Sequence, residues 1–215
     1  NRTTPARFAI LALGKLGSRE LNYASDIDLM FIFSGMGETE GGRDGQLRNR
    51  EFFTRLAEHL LRVVGSLTSP EGAAFRVDIR LRPRGRDGAL VVAVGEAEHY
   101  YRHEAQNWER LAMLRARGCA GDLELAEEFM HSIRDAIYWA EPLSDALRDV
   151  RLSKEKIDRR QAERSGGYNV KLGKGGIREI EFIAQALQVS HGGQDPWLRV
   201  PQTVIALQRL AEKGY

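Results

Sequence analysis

The stretch Ser25-Asp26-Ile27-Asp28-Leu29 opens an apolar run that continues to Phe33. On a strand, residues two apart share a face, so Asp26 and Asp28 point the same way while Ile27 and Leu29 pack behind them. Neighbouring carboxylates repel, and a site that keeps both ionised usually supplies a cation. Hard oxygen ligands from carboxylates together with phosphates are what Mg²⁺ prefers. A third carboxylate, Asp78, lies in residues 75–81, whose alternation turns Val77, Ile79 and Leu81 one way and Arg76, Asp78 and Arg80 the other. If this strand neighbours the first, three carboxylates converge and can hold two Mg²⁺ ions ~3.5–4 Å apart, one activating an attacking oxygen and one clamping nucleotide phosphates. Arg76 and Arg80 share the face of Asp78, and Arg82 continues it; all three suit bidentate contacts to triphosphate or orthophosphate oxygens. Taken alone, the aspartates also fit the solvated face of an edge strand. The arginines also fit a basic face paired with them, and Lys15 is open in the same way.

The upstream context favours a site. Phe8–Leu13 is a short apolar run ended by Gly14, as expected of a buried strand. A glycine-bearing turn, Gly14-Lys15-Leu16-Gly17-Ser18, follows, then a short helix expected over residues 19–22. Gly17 lets backbone N–H groups approach a phosphate, and a helix N-terminus favours its negative charge. A small-residue turn, a short helix and paired aspartates on a strand together resemble the polymerase-beta-like nucleotidyltransferases.

The elements that would position these groups divide the chain. Residues 34–46 hold five glycines and several charges and are expected to form a mobile surface loop. Leu47, Phe52, Leu56, Leu60 and Val63 are spaced for a helix over 47–65. Pro83 stops the Asp78 strand; a further strand is expected over 89–94 and a long helix over 96–115. From about residue 122 strand signals nearly vanish, and helical spacing covers 123–139, 142–163, 176–190 and 201–212. Ser165-Gly166-Gly167 and Gly173-Lys174-Gly175-Gly176 punctuate them. The expected class is α+β: a nucleotidyltransferase domain with a mixed sheet over 1–121, then an α-helical bundle domain over 122–215.

Composition is that of an ordinary soluble globular protein, with 42% hydrophobic and 29% charged residues among 215. The formal net charge is only +2, from 32 basic and 30 acidic residues, so a pI of 8.8 gives little ground for nucleic-acid binding. Cys119 is the one cysteine and allows no intrachain disulfide, which fits a cytoplasmic protein. No apolar run approaches the ~20 residues of a membrane-spanning helix, and no signal peptide is expected. The chain starts at Asn1 and ends on Lys213-Gly214-Tyr215, as expected of a piece of a longer protein.

Other motifs carry less. Lys15 follows Gly14 without the spacing of a P-loop. His99 and His103 are four apart on a helix, a metal-ligand spacing, but have no cysteine or third histidine nearby. Gly173-Lys174-Gly175-Gly176 fits either a phosphate cradle or a linker. Cys119 is read as structural, and Trp108 and Met113 as core residues.

Longer stretches are more specific. Residues 14–29, Val77-Asp78-Ile79-Arg80-Leu81-Arg82-Pro83, Trp108-Glu109-Arg110-Leu111-Ala112-Met113 and residues 171–182 closely resemble glutamate–ammonia-ligase adenylyltransferase, over essentially the whole chain. That family is bifunctional: a carboxy-terminal nucleotidyltransferase domain moves AMP from ATP to a tyrosine of glutamine synthetase, and an amino-terminal one removes it by phosphorolysis, giving ADP. Each is followed by a helical domain. Gly175-Gly176-Ile177-Arg178-Glu179-Ile180-Glu181-Phe182 and Asn169-Val170-Lys171-Leu172-Gly173 resemble the amino-terminal, removing copy, whereas Gly17-Ser18 departs from the usual Gly-Gly of both. The resemblance implies Mg²⁺ on Asp26, Asp28 and Asp78, with phosphate groups held by Lys15, Gly17, Ser18, Arg80 and Arg82; Lys171 and Arg178 are further candidates to reach phosphate. It implies ATP or ADP and phosphate as substrates or products, glutamine synthetase as protein substrate, and a PII-type signalling protein acting through the full-length enzyme. Neither nucleic acid nor membrane is expected as a partner. The forward transferase, a nucleotidyltransferase for RNA or an antibiotic, and a catalytically dead interaction domain are the competing readings.

Overall fold

The computed structural model describes residues 5–43, 45–65, 72, 74–138, 170 and 175–215. The helix expected over 142–163, the turns at Ser165-Gly166-Gly167 and Gly173-Lys174, and Lys171 lie outside them. The chain falls into two compact units, one formed by Asn1–Ala105 with Arg115–Arg134 and the other by Gln106–Leu114 with Asp135–Tyr215.

The first unit is a mixed α/β structure on a five-stranded mixed sheet. Strand β1 (Phe8–Leu13) pairs antiparallel with β2 (Ile27–Phe33), Leu13 standing opposite Asp28. The other edge of β2 is shared. Its start pairs in parallel with the two-residue β3 (Val77–Asp78), and its end pairs in parallel with β4 (Val91–Ala93). On the far side β1 pairs antiparallel with β5 (Arg117–Gly121).

β2 is buried on both faces, which explains its continuous apolar run. On one face Leu29, Phe31 and Phe33 meet Phe53 and Ala57 of α2 (Asn49–Gly65), with Phe8 stacked on Phe53 at 5.1 Å between ring centroids. On the other, Met30 meets Tyr101 of α3 (Val94–His103), whose ring lies 6.3 Å from Phe129 of α5 (Leu123–Ser132). Each such side chain, fully buried, contributes about 1.5–3 kcal/mol, so the middle of β2 is the most firmly held part of the sheet.

Several expectations are corrected here. The helix expected over 19–22 lies earlier, as the single turn α1 (Gly14–Gly17). The strand expected over 75–81 pairs only at Val77–Asp78, because the chain turns at Arg80. The helix expected over 96–115 is broken at residues 104–106 into α3 and α4 (Asn107–Met113). Gln106 and Glu109 cap the second piece with a reciprocal box, Glu109 Oε2 accepting from the Gln106 N–H at 2.9 Å. β5 was not expected at all.

In the second unit, α7 (Ile177–Gly192) and α8 (Thr203–Glu212) are joined through a 3₁₀ turn, Pro196–Leu198. The buried Gln188 ties them by donating to the Leu198 and Val200 carbonyls, both at 2.7 Å. The single turn α6 is Arg134–Ile137.

Candidate active site

The carboxylate end of the sheet is built by three segments: the turn after β1, the start of β2, and β3 with the turn that follows it. β3 does neighbour β2, and the register sets Asp28 beside Asp78, where adjacent strands lie about 4.8 Å apart. Asp26 is exposed, Ile27 buried and Asp28 half-buried, the alternation expected of a strand with one polar face.

Gly14 is the neighbour of Asp28 from the β1 side. Its φ is +54°, and a Cβ there would lie 2.4 Å from the Asp28 Oδ2. Any side chain at this position would therefore be strained and would displace the carboxylate.

Residues 15–18 form a closely packed turn. Gly17 is buried, and a Cβ on it would lie 1.9 Å from the Arg115 carbonyl and 2.7 Å from that of Ala12. Ser18 is fully buried; its hydroxyl turns back to donate to the Gly14 and Lys15 carbonyls at 3.2 and 3.4 Å, and its N–H donates to Gly14. Arg117 closes the turn from outside, donating to the Gly17 and Leu16 carbonyls at 3.0 Å each. In this arrangement Gly17 and Ser18 are packing residues, and the Ser18 N–H is already engaged. Lys15 is half-buried, and the Asn22 amide, in the orientation that satisfies both its ends, accepts from Lys15 Nζ at 3.2 Å.

The arginines after β2 also divide. Arg76 donates from Nε to Asp26 Oδ1 at 2.6 Å and from Nη2 to the Ala24 carbonyl at 2.8 Å. Arg80 straddles Asp78: Nε is 2.9 and 2.8 Å from its two oxygens, Nη2 also donates to Oδ2, and the Arg80 backbone N–H donates to Oδ1 at 2.8 Å. These bonds, led by the guanidinium, hold the Asp78 carboxyl below its ordinary value, against the opposing effect of burial. Arg82 is held differently from Arg76 and Arg80. It is 8% exposed, and its guanidinium donates to the carbonyls of Ile79 at 2.6 Å, Arg86 at 3.1 Å and Gly88 at 3.1 Å. It brackets the turn over residues 79–88, and burial pushes its pKa down.

Asp26, Arg76, Asp78, Arg80, Arg82 and Arg86 line one open cleft of about 480 Å³. Four arginines and two aspartates line its walls, a charge balance that suits a polyanion. Arg86 is the residue that sequence reasoning missed. Its position follows from the turn, and the only signal for it was the recurrence of arginine at 80, 82, 84 and 86.

The donor set fits a hard divalent cation: three carboxylates, two in register across neighbouring strands and a third two residues away. The present side-chain positions differ from the expected convergence. Among the described residues no three His, Cys, Asp or Glu side chains are grouped to hold a metal ion, since Asp26 turns to Arg76 and Asp78 to Arg80.

The remaining motifs are not among the residues that line this cleft. The His99 and His103 rings are 4.8 Å apart, and His99 Nε2 lies 3.7 Å from Glu104. Burial raises the Cys119 thiol pKa. Met113 is buried, whereas Trp108 is 43% exposed and donates to the Gln106 side chain, so only the first is a core residue. Arg178 is half-buried on α7. No described helix is long and apolar enough to cross a membrane.

Comparison with known proteins gives this geometry a family. Residues 1–132 match glutamate-ammonia ligase adenylyltransferase, and residues 150–215 match GlnD PII-uridylyltransferase. Proteins named bifunctional glutamine synthetase adenylyltransferase/adenylyl-removing enzyme align with nearly the whole chain. The one from Hahella chejuensis is 42% identical over 208 residues, that from Thioalkalivibrio sulfidiphilus 44% over 208, and that from Pseudomonas aeruginosa 42% over 211. These alignments cover 97–98% of the chain, which spans 21% of the length of each of these relatives.

Proposed function

This chain belongs to the glutamate-ammonia ligase adenylyltransferase family, and we propose that it is the adenylyl-removing nucleotidyltransferase, which cleaves AMP from a tyrosine of glutamine synthetase by Mg²⁺-dependent phosphorolysis and releases ADP. The observation that carries the reading is the register of Asp28 beside Asp78, where Asp78 lines a cleft together with Asp26 and exposed arginines. The resemblance of residues 175–182 to the amino-terminal copy of the family supports the direction. The domain plan within this reading is a polymerase-beta-like nucleotidyltransferase domain over 1–121 and an α-helical bundle domain over 122–215, to which α7 and α8 contribute.

Asp26, Asp28 and Asp78 would hold the cation, and Gly14 leaves the Asp28 carboxylate the space it needs. A bound Mg²⁺ supplies charge neutralisation at the phosphorus and stabilises a departing phenolate. The chain's own part is positioning. Arg76, Arg80 and Arg86 orient orthophosphate through planar forks of donors, and Lys15 adds charge from the β1 side. The backbone bond from Arg80 to Asp78 keeps that carboxylate ionised and aimed. Phenol, with a pKa of about 10, leaves without a dedicated acid, so alignment and charge suffice. Gly17 and Ser18 serve by holding the turn that carries Gly14 and Lys15. The partners in this reading are glutamine synthetase as substrate and a PII-type protein acting through the longer enzyme, in the cytoplasm.

The direction is tested by offering both substrates. With adenylylated glutamine synthetase, Mg²⁺ and phosphate, the AMP mass should leave the synthetase and ADP should accumulate in proportion to phosphate. Transfer of AMP from ATP to unmodified synthetase, with no phosphate-dependent ADP, would make this the forward enzyme.

A further inference from the structure

We infer that Arg76 and Arg80 exchange partners: each neutralises a site carboxylate until a divalent cation takes it, then turns to an oxyanion in the same cleft, so that cation and orthophosphate strengthen each other's binding. The inference rests on Asp26, Asp28 and Asp78 being cation ligands, and it goes beyond that reading by assigning the coupling to these two side chains.

Three features of the cleft carry it. First, Arg80 stands on a carboxylate that a cation would share. It is bonded to both oxygens of Asp78. A divalent cation on the same carboxylates would repel the guanidinium at close range.

Second, the pairs are asymmetric. The Asp78 side chain is 16% exposed against 59% for Arg80, and Asp26 is 48% exposed against 73% for Arg76. Asp78 is set in the wall and Asp26 is more open, and in both pairs the guanidinium is the more exposed partner, at the end of a flexible stem. The Arg80 backbone N–H holds Asp78 Oδ1 independently of the side chain, so the carboxylate keeps its orientation when the guanidinium leaves. An exposed ion pair of this kind is weak and readily replaced.

Third, Arg82 marks the contrast. Its donors are fixed on three carbonyls, and it has no freedom to swing. Once a cation neutralises the carboxylates, Arg76, Arg80 and Arg86 line the cleft with their charge unopposed there, and a phosphate supplies the matching oxygens for bidentate contact. Because coupling is reciprocal, phosphate must then tighten the cation by the same factor as the cation tightens phosphate.

The test is Mn²⁺ binding to the full chain, followed by the electron paramagnetic resonance of the free ion at micromolar Mn²⁺, with and without orthophosphate. The Asp28→Asn chain serves as background. In the unsubstituted chain phosphate should lower the Mn²⁺ Kd about fivefold or more. Arg80→Ala removes the competitor, so Mn²⁺ alone should bind several-fold more tightly than in the unsubstituted chain. Phosphate should then add little further, and least of all in the Arg76→Ala/Arg80→Ala chain. Arg80→Lys should fall between, keeping the charge and losing the fork.

Thermal unfolding, little changed by these exposed substitutions, checks the fold. An Arg80→Ala chain that binds Mn²⁺ alone no more tightly than the unsubstituted chain would overturn the exchange, since a plain phosphate ligand or a structural ion pair predicts that result. Full phosphate coupling in the double variant would overturn it too. Mn²⁺ binding that Asp28→Asn does not weaken would instead strike at the reading of the aspartates as ligands, a separate failure.

Discussion

The turn over residues 14–18 and the turn over residues 79–88 both border the Asp28–Asp78 pair, and both are rich in residue types that hold phosphate. In the first, Gly17 is pressed against two carbonyls, Ser18 bonds back into its own turn and Arg117 caps the outside. In the second, one arginine, Arg82, takes up the turn's carbonyls, and that frees Arg80 and Arg86 to face the cleft. The difference is one of satisfaction: groups whose hydrogen bonds are filled from within build the wall, and charges left at the surface face the cleft. Residue type alone does not separate the two roles.

The comparison can be broken most severely at Gly17. Gly17→Ala drives a Cβ into backbone that cannot retreat, so a loss of ~3 kcal/mol or more is expected, seen in urea denaturation as a shifted midpoint or as failure to fold. Next comes Arg82→Met, which keeps the stem but strips three carbonyls of their donor. It should cost ~2–3 kcal/mol, whereas Arg80→Ala, at an exposed pair, should cost under ~1 kcal/mol and instead raise the KM for phosphate. Equal stability loss in the two would erase the distinction between wall and ligand.

Ser18→Ala should cost about 1 kcal/mol and leave the phosphate KM unchanged; a raised KM would return the first turn to phosphate binding. The smallest effect is with pH. The Asp78 carboxyl titrates below its ordinary value because of Arg80, so its stabilising contribution is present above the ordinary carboxylate pKa and is lost as pH falls through its lowered folded value. Asp78→Asn should therefore flatten the stability curve below about pH 4, measured by thermal melts across acid pH.

Much of this was legible in sequence, for identifiable reasons. β1 and β2 are buried on both faces, so their continuous apolar runs announce them, and Asp28 stands out against such a run. β5 was illegible because Arg117-Gly118-Cys119-Ala120-Gly121 has no β-branched or large apolar residue. Its glycines are there for contact: a Cβ at Gly118 would lie 2.7 Å from Ala126 Cβ, and one at Gly121 2.4 Å from the Phe8 carbonyl. The alternation over 75–81 suggested seven strand residues where pairing uses two, since alternation records a half-buried chain whether or not a partner strand is present. That over-reading placed Arg82 on the open face. The break in the helix over 96–115 was hidden because its cap is Gln106, outside the Ser, Thr, Asp and Asn residues that usually open a helix, although Glu109 stands three residues on. How far the arginines engage the aspartates lies in side-chain placement, and spacing carries no trace of it.

The most direct test of the account is phosphate-dependent ADP release from adenylylated glutamine synthetase by Asp28→Asn beside the unsubstituted chain. The account predicts a fall of about 100-fold or more, with thermal unfolding little changed. ADP release within a few-fold of the unsubstituted chain would contradict it and move the chemistry away from the β2–β3 carboxylates.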